Sequence, residues 1–376
     1  MSLSIESKTI GVLKTPNDPR VCLLPKEVKA LLNELPLSIL IETGLGDTLN
    51  IRDKEYNDAG GSCLTRESIL TNADIIVSLG HTEIPLDVRA GLIFIGIFNP
   101  LYYPDKLSVY REKHATLYSL DLIPRTTLAQ SMDVLSSMAS LAGYKAILTA
   151  AELYNNVFPM FTTAAGTLSP VKVLVLGAGV AGLQAIATAK RLGAVVEAFD
   201  VRSSAAEEVR SLGASFIEVE GYRESSGAGG YAVEQSETYL KKQKDLIHDH
   251  ILTSNIVIST ANIPGKKAPL LIETRSVEAM QPSSVIIDMA VEQGGNCELS
   301  KNEEIVYHNE VIILGNSRFS TKVALSASKL LSHNYFSFLK YLVVSQKIDD
   351  PILSACQILK KGEWVHSHFT EELQPI

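Results

Sequence analysis

Four cysteines, Cys22, Cys63, Cys297 and Cys356, are scattered through the 376 residues, and no two stand in a Cys-x-x-Cys pair. That excludes a zinc knuckle and a dithiol redox motif, and leaves the thiols as reduced core or surface groups. Clustered Lys and Arg are also missing: 34 basic against 42 acidic residues give a formal net charge of −8. A phosphate backbone is neutralised by grouped cations, so no nucleic-acid partner is expected. The N-terminal segment Met1 to Lys8 has no apolar core, as a secretory signal would. The most apolar run, roughly Gly91 to Tyr103, is shorter than the ~18 residues that cross a bilayer, so the chain is expected in the cytoplasm. The histidine pairs His248/His250 and His366/His368 have no third ligand nearby in sequence, and no metal is expected. There is no internal repeat and no low-complexity segment.

What is present is a globular composition, 46% hydrophobic and 20% charged, at a length suited to two domains. Short Val/Ile-rich runs alternate with longer helical patterns, the signature of parallel βαβ units. Toward the N-terminus, Thr9–Leu13, Leu37–Ile41, Ile75–Leu79, Leu92–Ile97 and Thr116–Ser119 read as buried strands, with Pro25–Leu35 and Arg66–Thr71 as helices. A pattern from Ala129 to Tyr154, interrupted at Gly143, reads as a long helical connection. Val171–Leu176, Val195–Asp200, Phe216–Val219, Ile256–Thr260, Val285–Asp288 and Val311–Leu314 then supply a second sheet. A helix from Ser320 to about Leu342 and an extended tail around Ile358–Val365 are expected to return to the first domain. The predicted fold is α/β: two Rossmann-like, doubly wound parallel-sheet domains joined by a long helical connection. Residues 1–140, completed by 321–376, form the first domain, and residues 141–320 the second.

The second domain opens on Gly177-Ala178-Gly179-Val180-Ala181-Gly182. Gly-x-Gly-x-x-Gly alone is a weak signal, but here Lys172–Leu176 reads as a strand running into it and Leu183–Leu192 as a helix running out. Gly177 permits the tight turn, Gly179 lets backbone approach a pyrophosphate, and Gly182 lets helix pack on strand. Helix N–H groups then face the phosphates. Asp200, 18 residues beyond Gly182, ends the next strand, where a carboxylate accepts from both adenine-ribose hydroxyls and selects NAD(H) over NADP(H). Arg202 can receive a 2′-phosphate, although the adjacent carboxylate opposes it.

Arg125-Thr-Thr-Leu-Ala-Gln130-Ser-Met-Asp133-Val-Leu-Ser-Ser137, followed by Leu141-Ala-Gly-Tyr-Lys145, resembles a loop and helix of the proton-translocating nicotinamide nucleotide transhydrogenases, in their NAD(H)-binding component. Asp200-Val201-Arg202, Gly229-Gly230-Tyr231-Ala232, Ile263-Pro-Gly265, Val285-Ile-Ile-Asp288 and Glu292-Gln-Gly-Gly-Asn-Cys297 follow in that family's order. The resemblance covers essentially the whole chain and extends to alanine dehydrogenase, which shares the fold. It implies that Arg125, Gln130 and Asp133 lie beside the nicotinamide, with Arg125 and Asp133 holding each other. It also implies that Gly177, Gly179, Val180, Ala181, Gly182, Asp200, Val201, Arg202 and Ala261 contact the cofactor. Gly230 and Tyr231 would belong to a loop, Gly221 to Glu237, that closes over it. Where this sequence departs from the family, Gly315-Asn-Ser-Arg-Phe-Ser-Thr321 replaces a more usual Gly-His-Thr-Asn-Val-Pro-Ser, and Met138 stands for a glutamine.

Amino-acid oxidation needs a cation for the carboxylate and a titratable group for the amine proton, whereas hydride transfer between two nicotinamide rings needs only orientation. The dehydrogenases of the family use an arginine, a lysine and a histidine. Arg20 fits the first, but Leu79-Gly80-His81 and Phe98-Asn99-Pro100 occupy the places of the other two. The resemblance therefore implies an NAD(H)-binding subunit that passes hydride to NADP⁺ on a different polypeptide, with AB-type, Si-face stereochemistry. The NADP(H)-binding and membrane-spanning partners would supply the proton pathway, since the chain carries one fingerprint and no span. The subunit would be a homodimer, peripheral on the cytoplasmic side of the inner membrane through those partners. An amino-acid dehydrogenase using Arg20 and His81, or a non-enzymatic NAD sensor, are the alternatives.

Overall fold

The computed structural model describes residues 8–83, 85, 88–219, 237–345 and 350–371. The chain divides into two compact units, Met1–Met138 with Val323–Ile376, and Ala139–Lys322. Both are α/β units built on largely parallel sheets.

In the first unit the strands run, in spatial order, Ser62–Leu64, Leu37–Glu42, Lys8–Val12, Ile75–Val77, Ile93–Gly96, Thr116–Ser119, Gln357–Lys360 and Glu363–Trp364. The first six pair in parallel, and the last two add antiparallel at the Thr116–Ser119 edge. Helix Pro25–Glu34 begins with proline in its first turn, where the missing N–H is harmless, and buries Val28 and Leu31. Thr65 caps helix Arg66–Asn72 by accepting from Ser68 N. Ser62–Leu64 escapes the sequence reading because a three-residue edge strand, not fully buried, carries no apolar run.

The second unit's sheet runs Ser215–Ile217, Val195–Phe199, Lys172–Leu176, Ile256–Ser259, Val285–Asp288, Val311–Gly315 and Ile305–His308. All neighbours are parallel except the last pair. Alternating side chains enter two separate cores: Val173 and Val175 face one, Leu174 and Leu176 the other. Ile256 and Ile258 against Val257, and Val285 and Ile287 against Ile286, repeat the division. A strand covered on both faces reads as a continuous apolar run, which is why these short stretches stand out in the sequence. The strand expected at Phe216–Val219 lies at Ser215–Ile217. The antiparallel Ile305–His308 has no counterpart in the sequence reading, because its side chains are only partly covered.

The helical connection is one helix, Val134–Leu153, preceded by a 3-10 turn at Gln130–Met132. It is the one helix among the described residues long and apolar enough to cross a bilayer, and its Ala142, Ala146, Ile147 and Ala150 lie in the second unit's core. A small hairpin, Phe161–Thr163 with Gly166–Leu168, is exposed along both strands.

Candidate nucleotide site

Lys172–Leu176 is the strand at which the sheet order of the second unit reverses, since Val195–Phe199 and Ile256–Ser259 flank it on opposite sides. Ligands of doubly wound sheets bind beyond the carboxyl end of such a strand. Here the chain turns at Gly177, whose φ of +98° suits glycine, and Gly177 N donates to Phe199 O at 2.8 Å. Thr260 Oγ1 donates to Gly177 O at 3.0 Å and ties the neighbouring strand end to the turn. A Cβ on Gly182 would lie 1.8 Å from the Gly177 carbonyl oxygen, so helix Val180–Arg191 packs on the turn through bare backbone.

Gly179 is different. Nothing lies within 4 Å of the point its Cβ would occupy, and as N-cap of Val180–Arg191 it offers no side chain to the first-turn N–H groups. Orphan amides, the positive end of the helix and open space together fit a pyrophosphate. Gly143 does not interrupt its helix as the sequence suggests. Its Cβ would come within 2.0 Å of the Ala181 carbonyl oxygen, so glycine there permits two helix backbones to touch behind the turn.

Asp200 follows strand Val195–Phe199 and is nearly buried. Its Oδ2 accepts from Ala178 N at 2.8 Å and Arg202 Nη2 at 3.0 Å, and Oδ1 from Arg202 N at 2.8 Å and Nε at 3.0 Å. Val201 packs against the adjoining core. Across the strand ends, Ala261 O accepts from Asn296 Nδ2 at 2.8 Å, as does Pro269 O, while Ser259 Oγ donates to Asn296 Oδ1 at 2.6 Å. Asn296 is positioned by Asp288, a wholly buried carboxylate that accepts from Ala290 N, Asn296 N, Cys297 N and Ser300 Oγ. Sequence reasoning reaches Asp288 and Asn296 only through motif matching. A signal exists: a carboxylate closing an otherwise apolar strand, with Gly294 and Gly295 at positive φ beyond it.

Arg125, Gln130 and Asp133 belong to one loop of the first unit. Buried Ala129 and Met132 anchor it, and Asn334 Nδ2 holds Ser131 O at 2.8 Å, while Arg125 is exposed. The expected Arg125–Asp133 pair is not formed. Asp133 instead caps helix Val134–Leu153, accepting from Ser136 N at 2.8 Å and Ser136 Oγ at 2.6 Å. A carboxylate with local amides to satisfy at a helix start is drawn there rather than to an exposed, solvated guanidinium. Asp133→Ala is therefore expected to lower the stability of the first unit by about 1 kcal/mol in chemical denaturation. Gly230 and Tyr231 lie outside the described residues.

The alanine dehydrogenase/PNT N-terminal domain pattern matches residues 14–142, and the C-terminal domain pattern residues 146–367. The chain belongs to the alanine dehydrogenase/PNT family. It is 40% identical over 376 residues to the Rhodospirillum rubrum protein that forms the first piece of a divided NAD(P) transhydrogenase subunit alpha, covering 95% of this chain and 97% of that protein. Among solved structures, transhydrogenase from Sinorhizobium meliloti matches with a TM-score of 0.84 at 37% identity, over 96% of this chain and all of that one. An L-alanine dehydrogenase shares the fold, with a TM-score of 0.79 at 20% identity over 96% and 98% of the two chains.

Alanine dehydrogenase/PNT proteins bind nicotinamide nucleotides, which the open Gly179 cradle accommodates. Arg20 and His81, the residues the sequence offers for amino-acid oxidation, are otherwise engaged. Arg20 is locked on Asp18 through Nε at 2.9 Å and Nη2 at 2.6 Å. It lines a cavity of about 500 Å³ with Lys14 and Arg66, both of which pair with Glu42. His81 is packed against Phe98 and Tyr110, and burial pushes its pKa down. Its Nε2, 3.1 Å from Phe98 O, must carry the proton, because a carbonyl only accepts. Of the other histidines, His248 bonds Ser276 Oγ and His250 bonds Glu197. Trp364 stacks on Phe369.

Proposed function

We propose that this chain is the NAD(H)-binding subunit of a proton-translocating transhydrogenase, supplying one of two nucleotides between which hydride passes. The observation that carries this reading is the end-to-end likeness to the first piece of a divided transhydrogenase subunit alpha, across 97% of that protein. Gly177, Gly179, Val180, Ala181 and Gly182 would hold the pyrophosphate, Asp200 and Val201 the adenosine, with Arg202 beside its ribose, and Ala261 the far side of the crevice. Gly230 and Tyr231 would close over it. The bound NAD(H) supplies a hydride at its nicotinamide ring. Arg125, Gln130 and Asp133 would position that ring, with Asp133 acting through the helix start it caps. Orientation of this kind lowers a barrier by up to about 7–11 kcal/mol without an acid or base.

The second nucleotide would sit on an NADP(H)-binding partner, and proton movement on a membrane-spanning one. The chain would be peripheral on the cytoplasmic side of the inner membrane through them. A homodimer is supported by the hairpin Phe161–Thr163/Gly166–Leu168: a lone two-stranded ribbon is marginal in water, and Met160, Phe161 and Leu168 are exposed on it. The locked Arg20 and the packing of His81 against Phe98 and Tyr110 count against amino-acid oxidation.

The test mixes the purified chain with an NADP(H)-binding transhydrogenase component and follows transfer from NADH to NADP⁺. Transfer that needs both proteins is expected, with deuterium labelling reading the AB-type, Si-face course. NADH formation from NAD⁺ and L-alanine by the chain alone would overturn the reading.

A further inference from the structure

A carboxylate has about four acceptor positions, and protein donors take all four on Asp200. Two are backbone amides of the turn and its neighbour, Ala178 N and Arg202 N. The other two come from one guanidinium, Arg202 Nε and Nη2, each 3.0 Å away. The same Nη2 is also 3.3 Å from Ala178 O, so the side chain is seated across the mouth of the glycine turn. An adenine ribose would present two hydroxyl donors to those same carboxylate oxygens. Both sets cannot be accommodated.

Exposure decides which partner yields. The Asp200 side chain is 7% exposed and fixed by two amides, while Arg202 is 32% exposed on a long flexible stem. We propose that the Arg202 guanidinium competes with the dinucleotide's adenine ribose for Asp200, which makes Arg202 a residue that sets the margin between NAD(H) and NADP(H). This rests on the turn being an NAD(H) site. While seated, the guanidinium occupies the acceptors a diol needs and neutralises the charge that repels a 2′-phosphate. Once displaced, it is a planar five-donor group beside the 2′ position, well suited to a phosphate. On both counts Arg202 works against NAD(H) and for NADP(H). A guanidinium that merely braced the loop would do the opposite for NAD(H), since its loss would loosen Asp200.

The test titrates the full chain with NADH and with NADPH, following nucleotide fluorescence, for wild type, Arg202→Met and Arg202→Lys. Met keeps the apolar stem and removes the donors. Lys keeps the charge and removes the two-pronged geometry. Arg202→Met is expected to lower the NADH Kd at least 3-fold and raise the NADPH Kd at least 3-fold, a shift of about 10-fold or more in their ratio. Arg202→Lys should tighten NADH at least 2-fold while moving NADPH less. An NADH Kd that is unchanged or raised in Arg202→Met, at wild-type melting temperature, overturns the competition. If Arg202→Met does not fold, Arg202→Lys decides on the same NADH criterion. Wild-type chain that fails to bind NADH overturns the NAD(H) reading itself, an outcome distinct from binding that ignores the substitution.

Discussion

Gly182→Ala is expected to weaken NADH binding on the order of 100-fold and to destabilise the second unit by about 1–3 kcal/mol. The added methyl would sit 1.8 Å from the Gly177 carbonyl oxygen and 2.9 Å from its carbon. Both are backbone atoms of the turn, so neither can rotate away as a side-chain tip would. Helix Val180–Arg191 would have to back off the strand and carry its first-turn amides with it. Gly179→Ala is the matched control. Nothing is within 4 Å of its methyl, so the melting temperature should stay at the wild-type value while NADH binding falls. Fluorescence titration and thermal melting read the two effects separately. NADH affinity within 3-fold of wild type in Gly182→Ala would mean that the turn is not the phosphate site.

The larger stability effect belongs to Asp288. Replacing it with alanine strands three buried amides, Ala290 N, Asn296 N and Cys297 N, while Ser300 Oγ keeps Cys297 O as an acceptor. A loss of about 3–5 kcal/mol is expected, or roughly 10 °C in the melting temperature of a unit this size. Binding should suffer with it, because Asn296 loses its backbone anchor and releases Ala261 O and Pro269 O. Asp288→Asn should recover only part of the stability, since its amide nitrogen adds a donor where only acceptors are useful. Unchanged melting in Asp288→Ala would show that the loop is held by something other than this carboxylate.

The parallel strands are readable in the sequence because burial on both faces leaves uninterrupted Val/Ile runs, and the glycine turn because strand, turn and helix follow in unbroken order. The exposed or edge elements are not. Ser62–Leu64, Ile305–His308 and the hairpin at Phe161–Leu168 owe their existence to pairing rather than to their own apolar content. At the candidate site, Asp200 is visible from spacing, but its saturation by Arg202 is not, since side-chain pairing two residues apart depends on the strand having ended at Phe199, before both. Charge alone assigns Asp133 to Arg125, and the local amides of a helix start take it instead. Gly143 reads as a break because glycine usually weakens a helix. Only the approach of Ala181 reveals why it is there.

The first unit is assembled from two stretches of chain, with the whole second unit between them. Lys361 N reaches Thr116 Oγ1 across 245 residues, and Ile358 and Leu359 complete a core begun by Leu13. On a ribosome adding about 5–20 residues per second, the second unit is fully available seconds before that closing strand emerges. Order of folding therefore runs against order of sequence: the later-starting unit matures first, and the earlier one waits with Thr116–Ser119 as a bare sheet edge. Such an edge pairs readily with other strands, so the chain's own last strands act as an intramolecular guard against aggregation.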